Sequence, residues 1–400
     1  MPPTSIPRPL VIGGFAESVG MGLFISISAL YFNRVVGLTP TEVGFGLGAA
    51  GIVGIAGGVP LGYLSDRFRP RFILVAALVV QAVGTCLYLA AQNFWSFLAV
   101  AMTVVVGERT SAAARSTIIA GVLPRTERVG ARAYLRAMGN VGVSAGVVAA
   151  AVALAFDTRL AYSIVIVING ATLAVSALVS WRLPDPEVRP RAERGPALPV
   201  LRDVRYALAA GLAGLMSTHY AIIEVALPLW VSAHTKAPVA VVPLLILSNT
   251  VLVIALQVWM SKGVDTPRRG SWALIRAGLL FLVTSLALAW SGDVTAVVAI
   301  VLLAAGMLAY TLGEILHASG SWALSFELAP ADKQGQYQGM FGALGSGGTM
   351  LGPLLVTSTA LTFGGAGWIA LGVLLALAGL LTWPVASGHH EQPAPKTVDV

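Results

Sequence analysis

Gly62-Tyr63-Leu64-Ser65-Asp66-Arg67-Phe68-Arg69-Pro70-Arg71 joins two apolar runs, about 41–63 and 71–91. An acid and three arginines are packed between stretches that are each long enough to cross a bilayer. The segment therefore reads as a tight turn in water at a membrane face. The same alternation of long apolar run and short polar turn recurs in both directions along the chain.

The 400 residues are 56% hydrophobic and 11% charged, with mean hydropathy +0.82. A soluble domain carries about 25% charged residues. A soluble enzyme, a nucleic-acid-binding module and a disordered chain are thereby excluded. Continuous runs of about 20 apolar residues, in place of alternating segments of about 10, argue against a β-barrel. In such a chain the net charge of +7 matters by its location. The single cysteine, Cys86, rules out an intramolecular disulfide and a cysteine metal site. The sequence offers no metal-ligand constellation, no phosphate-binding loop and no nucleophile–base pairing. No enzyme activity and no cofactor are expected, and a proton gradient is the expected energy source. Met1 to Pro9 is too short and proline-rich for a cleavable signal.

Twelve spans are expected, near 9–32, 41–63, 71–91, 95–122, 134–156, 160–181, 206–232, 239–261, 271–290, 294–325, 336–358 and 364–385. This makes the chain an all-α integral membrane protein. Its parts are a six-helix bundle over 1–181, a basic, proline-rich linker over 182–205, a second bundle over 206–385 and a tail over 386–400. With both ends on one side, that side carries most of the basic residues, among them Arg67, Arg69, Arg71, Arg125, Arg128, Arg132 and those of the linker. The opposite loops carry Arg34, Arg159 and Lys236. The positive-inside rule puts both termini in the cytoplasm. The arginine-rich, Ala/Gly/Val-heavy composition suggests a bacterial inner membrane.

The two halves resemble each other. Gly107, Glu108, Pro124, Gly139, Gly142 and Gly146 match Gly313, Glu314, Pro330, Gly345, Gly348 and Gly352, all at an offset of 206. Tandem repeats of this kind place a binding site between them, near the midplane.

The quoted loop resembles the signature of the major facilitator superfamily, a Gly-x-Leu-Ala/Ser-Asp-Arg core followed by basic residues. The second half keeps a degenerate copy, with Asp265, Arg268 and Arg269. The resemblance implies the superfamily fold, two six-helix pseudo-repeats that rock about a central cavity. It also implies that Gly62, Asp66, Arg67 and Arg71 form a conformational latch. Physically, glycine permits close helix approach, and an acid at a helix–water boundary can accept hydrogen bonds from a neighbouring helix.

Acids inside the spans carry the functional expectation, because buried charges are costly and mark ion or substrate pathways. They are Glu17, Glu108, Glu224 and Glu314, on spans one, four, seven and ten, which line the cavity in the superfamily. Glu314 is the first candidate for proton coupling and Glu224 the second. Adjacent helix residues point about 100° apart, so Arg109 is expected to pair with an acid on another helix, such as Glu17. That pair could be structural or could couple protons. His317 shares a helix face with Glu314, whereas His219 does not share one with Glu224. Both read first as packing residues and second as relay members. Phe24, Tyr31, Tyr220 and Tyr310 are candidate cavity aromatics.

The resulting expectation is proton-coupled efflux of small amphipathic or cationic compounds, with resemblance to bacterial drug:proton antiporters. One departure is that span five reads Gly146-Val147, and within the spans the Gly-Pro pair occurs only at Gly352-Pro353, in span eleven. The alternatives are a proton-coupled importer of a sugar or other small metabolite and a non-transporting sensor or scaffold. Expected partners are a small-molecule substrate, protons and membrane lipid, with no nucleic acid, and the chain is expected to be a monomer.

Overall fold

The computed structural model describes residues 6–186 and 198–387. Residues 187–197 of the basic linker and nearly all of the tail lie outside the described residues. Among the described residues the regular elements are helical, with no strands. They are α1 (Arg8–Leu30), α2 (Pro40–Arg67), α3 (Pro70–Leu87), α4 (Phe94–Val122), α5 (Arg125–Phe156), α6 (Arg159–Ser180), α7 (Val204–Met216), α8 (Leu227–His234), α9 (Val241–Met260), α10 (Pro267–Trp290), α11 (Ala296–Glu327), α12 (Gln334–Val356) and α13 (Thr362–Ser387).

Local chemistry sets the helix starts. Thr39 accepts the Glu42 amide proton, and Glu42 caps Thr39 in return. Asn93 and Ser96 do the same at α4. Each such cap contributes about 1 kcal/mol. Pro40, Pro70 and Pro267 open their helices at a position where a missing N–H costs nothing.

Eleven helical segments are long and apolar enough to cross a membrane. Val204–His234 is one of them, formed by α7 and α8 with a 3-10 turn at Ser217–His219 and a π-turn at Ile222–Ala226 between them. The last, Gln334–Ser387, is 54 residues long. Twelve separate spans were expected, and the difference lies here: no charged residue separates α12 from α13, so the chain stays helical almost to Gly364. That glycine breaks the helix, with φ 59° and ψ −134°, in a region open to glycine and strained for other residues.

The helices pack as two groups. In the first, α1 packs on α5 and α6, α3 on α4 and α6, and α2 on α4. In the second, α10 packs on α11 and α13, and α7 on α12 and α13. The matched glycines sit in matched packing. Gly107 faces Ala77 and Gln81 of α3, and Gly313 faces Ala277 and Phe281 of α10. Gly146 meets Val19 and Leu23 of α1, while Gly352 meets Thr218 and Ala221 of the span that opens the second group.

The groups meet chiefly through α2 on α12, with α5 against α9 and α11. Gly44, Gly48, Gly51, Gly58 and Gly62 form one stripe on α2. A Cβ on Gly62 would lie 2.1 Å from the Gly335 carbonyl oxygen, and one on Gly339 would lie 2.0 Å from that of Gly58. At the other end of the stripe, a Cβ on Gly44 or Gly48 would meet nothing within 4 Å. The two helices touch backbone to backbone beside Asp66 and diverge away from it.

Candidate functional site

The closed end is held by polar contacts between the groups. Asp66, in the last turn of α2, accepts the Gly335 amide proton at 2.6 Å and the Gln336 amide proton at 2.9 Å, and the Gln336 side chain donates at 3.3 Å. The N-cap position of α12 is Lys333, which supplies no cap. Asp66 therefore satisfies orphan amides of a helix in the other group and meets its positive dipole end. Beside it, Glu327 at the end of α11 faces Arg125 at 3.7 Å and Arg128 at 3.6 Å, both on α5.

Of the expected latch residues, Gly62 and Asp66 bridge the groups. Arg67 contacts Tyr63 at 3.5 Å. Arg71 stays within the first group, where its amide donates to Asp185 at 3.2 Å and its guanidinium donates to the Leu183 carbonyl at 3.1 Å.

A second link lies deeper. Arg136, eleven residues into α5, donates to Glu314 on α11 at 2.5 Å and to the Tyr220 hydroxyl at 3.2 Å. Asn249 of α9 donates to the other Glu314 oxygen at 2.9 Å and to Thr311 at 3.1 Å. Both partners are largely shielded, with side chains 19% and 9% exposed. The attraction is therefore much less screened than at a surface.

Next to this pair is a hydrogen-bonded chain. His317 Nε2 lies 3.0 Å from the Ala213 carbonyl, which can only accept, so this nitrogen carries the proton. His317 Nδ1 then accepts from His219 Nε2 at 3.3 Å, and His219 Nδ1 accepts from the Tyr310 hydroxyl at 2.8 Å. All three side chains are buried.

Between the groups, on the side toward Asp66, lies a cavity of about 380 Å³. Its walls include Arg109 and Ser116 of α4, Arg132 and Arg136 of α5, Tyr220, His317, Ser321 and Trp322 of α11, and Gln338 of α12. Among the described residues that line it there is no carboxylate. Arg132 lies over the rings of Trp322 (5.9 Å) and Phe326 (5.6 Å).

The expected site residues divide. Glu314, His317, Tyr220 and Tyr310 come together as described, but only Tyr220 and His317 line the cavity; Glu314 and Tyr310 were expected there and sit behind its wall. Glu224 is exposed on the π-turn, and Glu108 is exposed on α4; neither carboxylate has a hydrogen-bond or ion-pair partner among the described residues. Glu17 pairs with Arg115, not with Arg109. The reason is depth. Glu17 lies nine residues from the Asp66-side end of α1, Arg115 seven residues from that end of α4, and Arg109 thirteen. At about 1.5 Å per residue, only Arg115 is level with Glu17. Phe24 and Tyr31 pack with Phe32 and Tyr88 in an aromatic cluster of the first group and do not line the cavity.

Arg115 and Arg136 were not anticipated as site residues, and Arg132 was expected in a loop. The signal was present in Arg128, Arg132 and Arg136, spaced i, i+4, i+8. Because α5 begins nine residues before the apolar run, that row is helical and faces inward.

The model of the Major Facilitator Superfamily matches residues 10–353. Among curated proteins none matches the chain. Solved structures share the architecture. A bacterial homologue of the iron transporter ferroportin, in an outward-facing state, aligns with TM-score 0.74 at 12% identity, covering 95% of this chain and 98% of the other. The E. coli fucose:proton symporter aligns with TM-score 0.71 at 13% identity, covering 94% and 97%. The human organic anion transporter MFSD10 (TETRAN) gives 0.69 at 15%, covering 94% and 100%. At these identities the likeness is one of fold. Asp66 reaching across to α12, the two packed groups of membrane-length helices and a family match over most of the sequence lead to one conclusion: this chain belongs to the Major Facilitator Superfamily.

Proposed function

We propose that the chain is a secondary active transporter of a small molecule that uses proton movement and alternating access in a bacterial plasma membrane. In this reading Gln334–Ser387 crosses twice, with Gly364 at the turn. That gives twelve crossings in two six-helix repeats, an arrangement supported by the matched glycine packing. The basic loops put the closed end in the cytoplasm, so the cavity side is shut and the conformation opens outward.

The observation that carries the reading is the Arg136–Glu314 pair, which joins the groups at mid-depth beside the cavity. A protonated carboxyl no longer holds its arginine as an ion pair. Removing one partner of a buried pair costs about 3–5 kcal/mol. A loss of that size shifts a two-state equilibrium by orders of magnitude. Proton arrival at Glu314 would thus loosen a contact between the groups and free Arg136 toward the cavity.

The cargo's charge then sets the direction of coupling. A cation competing with protons at an acid would be exported, as the four acids suggested from sequence. Glu224, exposed and unpartnered, supports that second reading. The walls of the cavity favour the other one. Glu17 and Glu314 are both neutralised by arginine, and the lining is basic. A cargo that binds once Arg136 is released travels with the proton, which is import by symport.

The test compares gradient-driven uptake with gradient-free exchange in proteoliposomes for wild type and Glu314→Gln. The reading expects Glu314→Gln to retain exchange and to lose accumulation against a pH gradient. Wild-type accumulation by that variant would overturn it.

A further inference from the structure

Among the arginines of α4 and α5 that lie inside the membrane, Arg109 and Arg132 are the odd pair. Arg115 and Arg136 each have a carboxylate partner. Arg109 and Arg132 line the cavity, yet the Nε of each is buried with no hydrogen-bond partner. Neither makes an ion pair among the described residues. Arg132 only lies over two aromatic rings. An unpaired guanidinium inside a membrane protein is costly, and two of them facing one cavity leave donors free for an anion.

We propose that this cavity is a binding site for a small organic anion, whose carboxylate, sulfonate or phosphate group sits between Arg109 and Arg132. The inference rests on the transporter reading for its role but not for its chemistry. Guanidinium groups match planar and tetrahedral oxyanions by forked hydrogen bonds. Trp322, beside Arg132, offers an aromatic face for the apolar part of the ligand, and Ser116, Ser321 and Gln338 offer neutral hydrogen bonds. About 380 Å³ lies at the lower end of the range for small-ligand pockets, which suits a molecule of one or two rings. A cation has no carboxylate to meet in this lining.

The experiment uses the purified full chain in detergent, without any proton gradient, and follows tryptophan fluorescence. The probes share one ring and differ in charge: 2-naphthoate and naphthalene-2-sulfonate, neutral 2-naphthamide, and cationic 2-naphthylmethylammonium. Both anions should bind at least about tenfold more tightly than the other two, as a lost charge-assisted hydrogen bond implies. Arg109→Gln and Arg132→Gln should each weaken the anions by a similar factor and leave the amide unchanged. Arg109→Lys and Arg132→Lys, which keep the charge, should recover part of the loss. Equal or tighter binding of the cation, no binding by either anion, or unchanged anion binding in both glutamine variants would overturn the proposal. Because these are equilibrium measurements, a failure of proton coupling at Glu314 would leave them unaffected, so the two ideas fail separately.

Discussion

Asp66 caps a helix that belongs to the other half of the molecule: its carboxylate takes the amide protons of Gly335 and Gln336 at 2.6 and 2.9 Å. The contact ties the closed end shut with an interaction that helices normally make within themselves. Opening that end must leave the first amides of α12 to water, at a cost of the order of a helix cap, about 1–2 kcal/mol. Asp66→Ala should therefore shift the population toward the inward-open state by about five- to thirtyfold. Spin-label distances across the closed end would report this as a longer component gaining weight; an unchanged distribution would remove Asp66 from the latch.

The glycine stripe on α2 gives an internal control. Gly62→Ala puts a methyl 2.1 Å from a backbone oxygen, so α12 must move, at a cost of about 1–3 kcal/mol. Gly44→Ala on the same face meets nothing within 4 Å. Transport should fall sharply in the first variant and stay near wild type in the second. Equal effects would mean that transport does not depend on the close approach at Gly62.

Four arginines of α4 and α5 should separate in thermal unfolding. Arg136→Gln and Arg115→Gln each strand a largely buried carboxylate and should lower stability by about 3 kcal/mol or more. Arg109→Gln and Arg132→Gln remove charges that have no carboxylate partner among the described residues, so the empty protein should be about as stable as wild type or more so. Destabilisation by the second pair would point to a structural role for those arginines.

Asp157, at the end away from the latch, is held below the usual aspartate range, first by the Tyr162 hydroxyl that donates to it and then by Arg34. A lowered pKa means its stabilising contacts are present at neutral pH and vanish only as pH falls through that lowered value, below about 3.9. This cluster stays charged across the physiological range and is no proton sensor. Asp157→Asn should leave the shape of the pH–transport profile unchanged between about pH 5 and 8. A shifted profile would place proton coupling at the wrong end of the molecule.

Much of this was legible in the sequence. Long apolar runs specified the helices, and the Asp66 loop specified the family. An acid on the tenth span, Glu314, stood out in the sequence, and its partner Arg136 did not. The rest depended on depth and register. Nothing in the apolar pattern says that α5 begins at Arg125, so Arg128 and Arg132 read as a topology signal and Arg136 passed unremarked, though the row reaches into the core of the protein. Pairing Arg109 with Glu17 looked natural until the antiparallel run of α1 and α4 set Glu17 level with Arg115. The aromatics at 24 and 31 share helices with charged residues, yet they face a neighbouring helix; rotation about the axis decides this, and span-level hydropathy does not see it.

The central claim is that proton and cargo meet through Arg136 and Glu314. It is tested most directly by adding naphthalene-2-sulfonate, an anion with no proton of its own to exchange, to the purified protein in weakly buffered solution while following pH. The account predicts that wild-type protein takes up protons as the sulfonate binds, because the added negative charge favours a protonated Glu314, and that Glu314→Gln binds the sulfonate without proton uptake. Binding by wild type with no proton uptake, or equal uptake by Glu314→Gln, would contradict it.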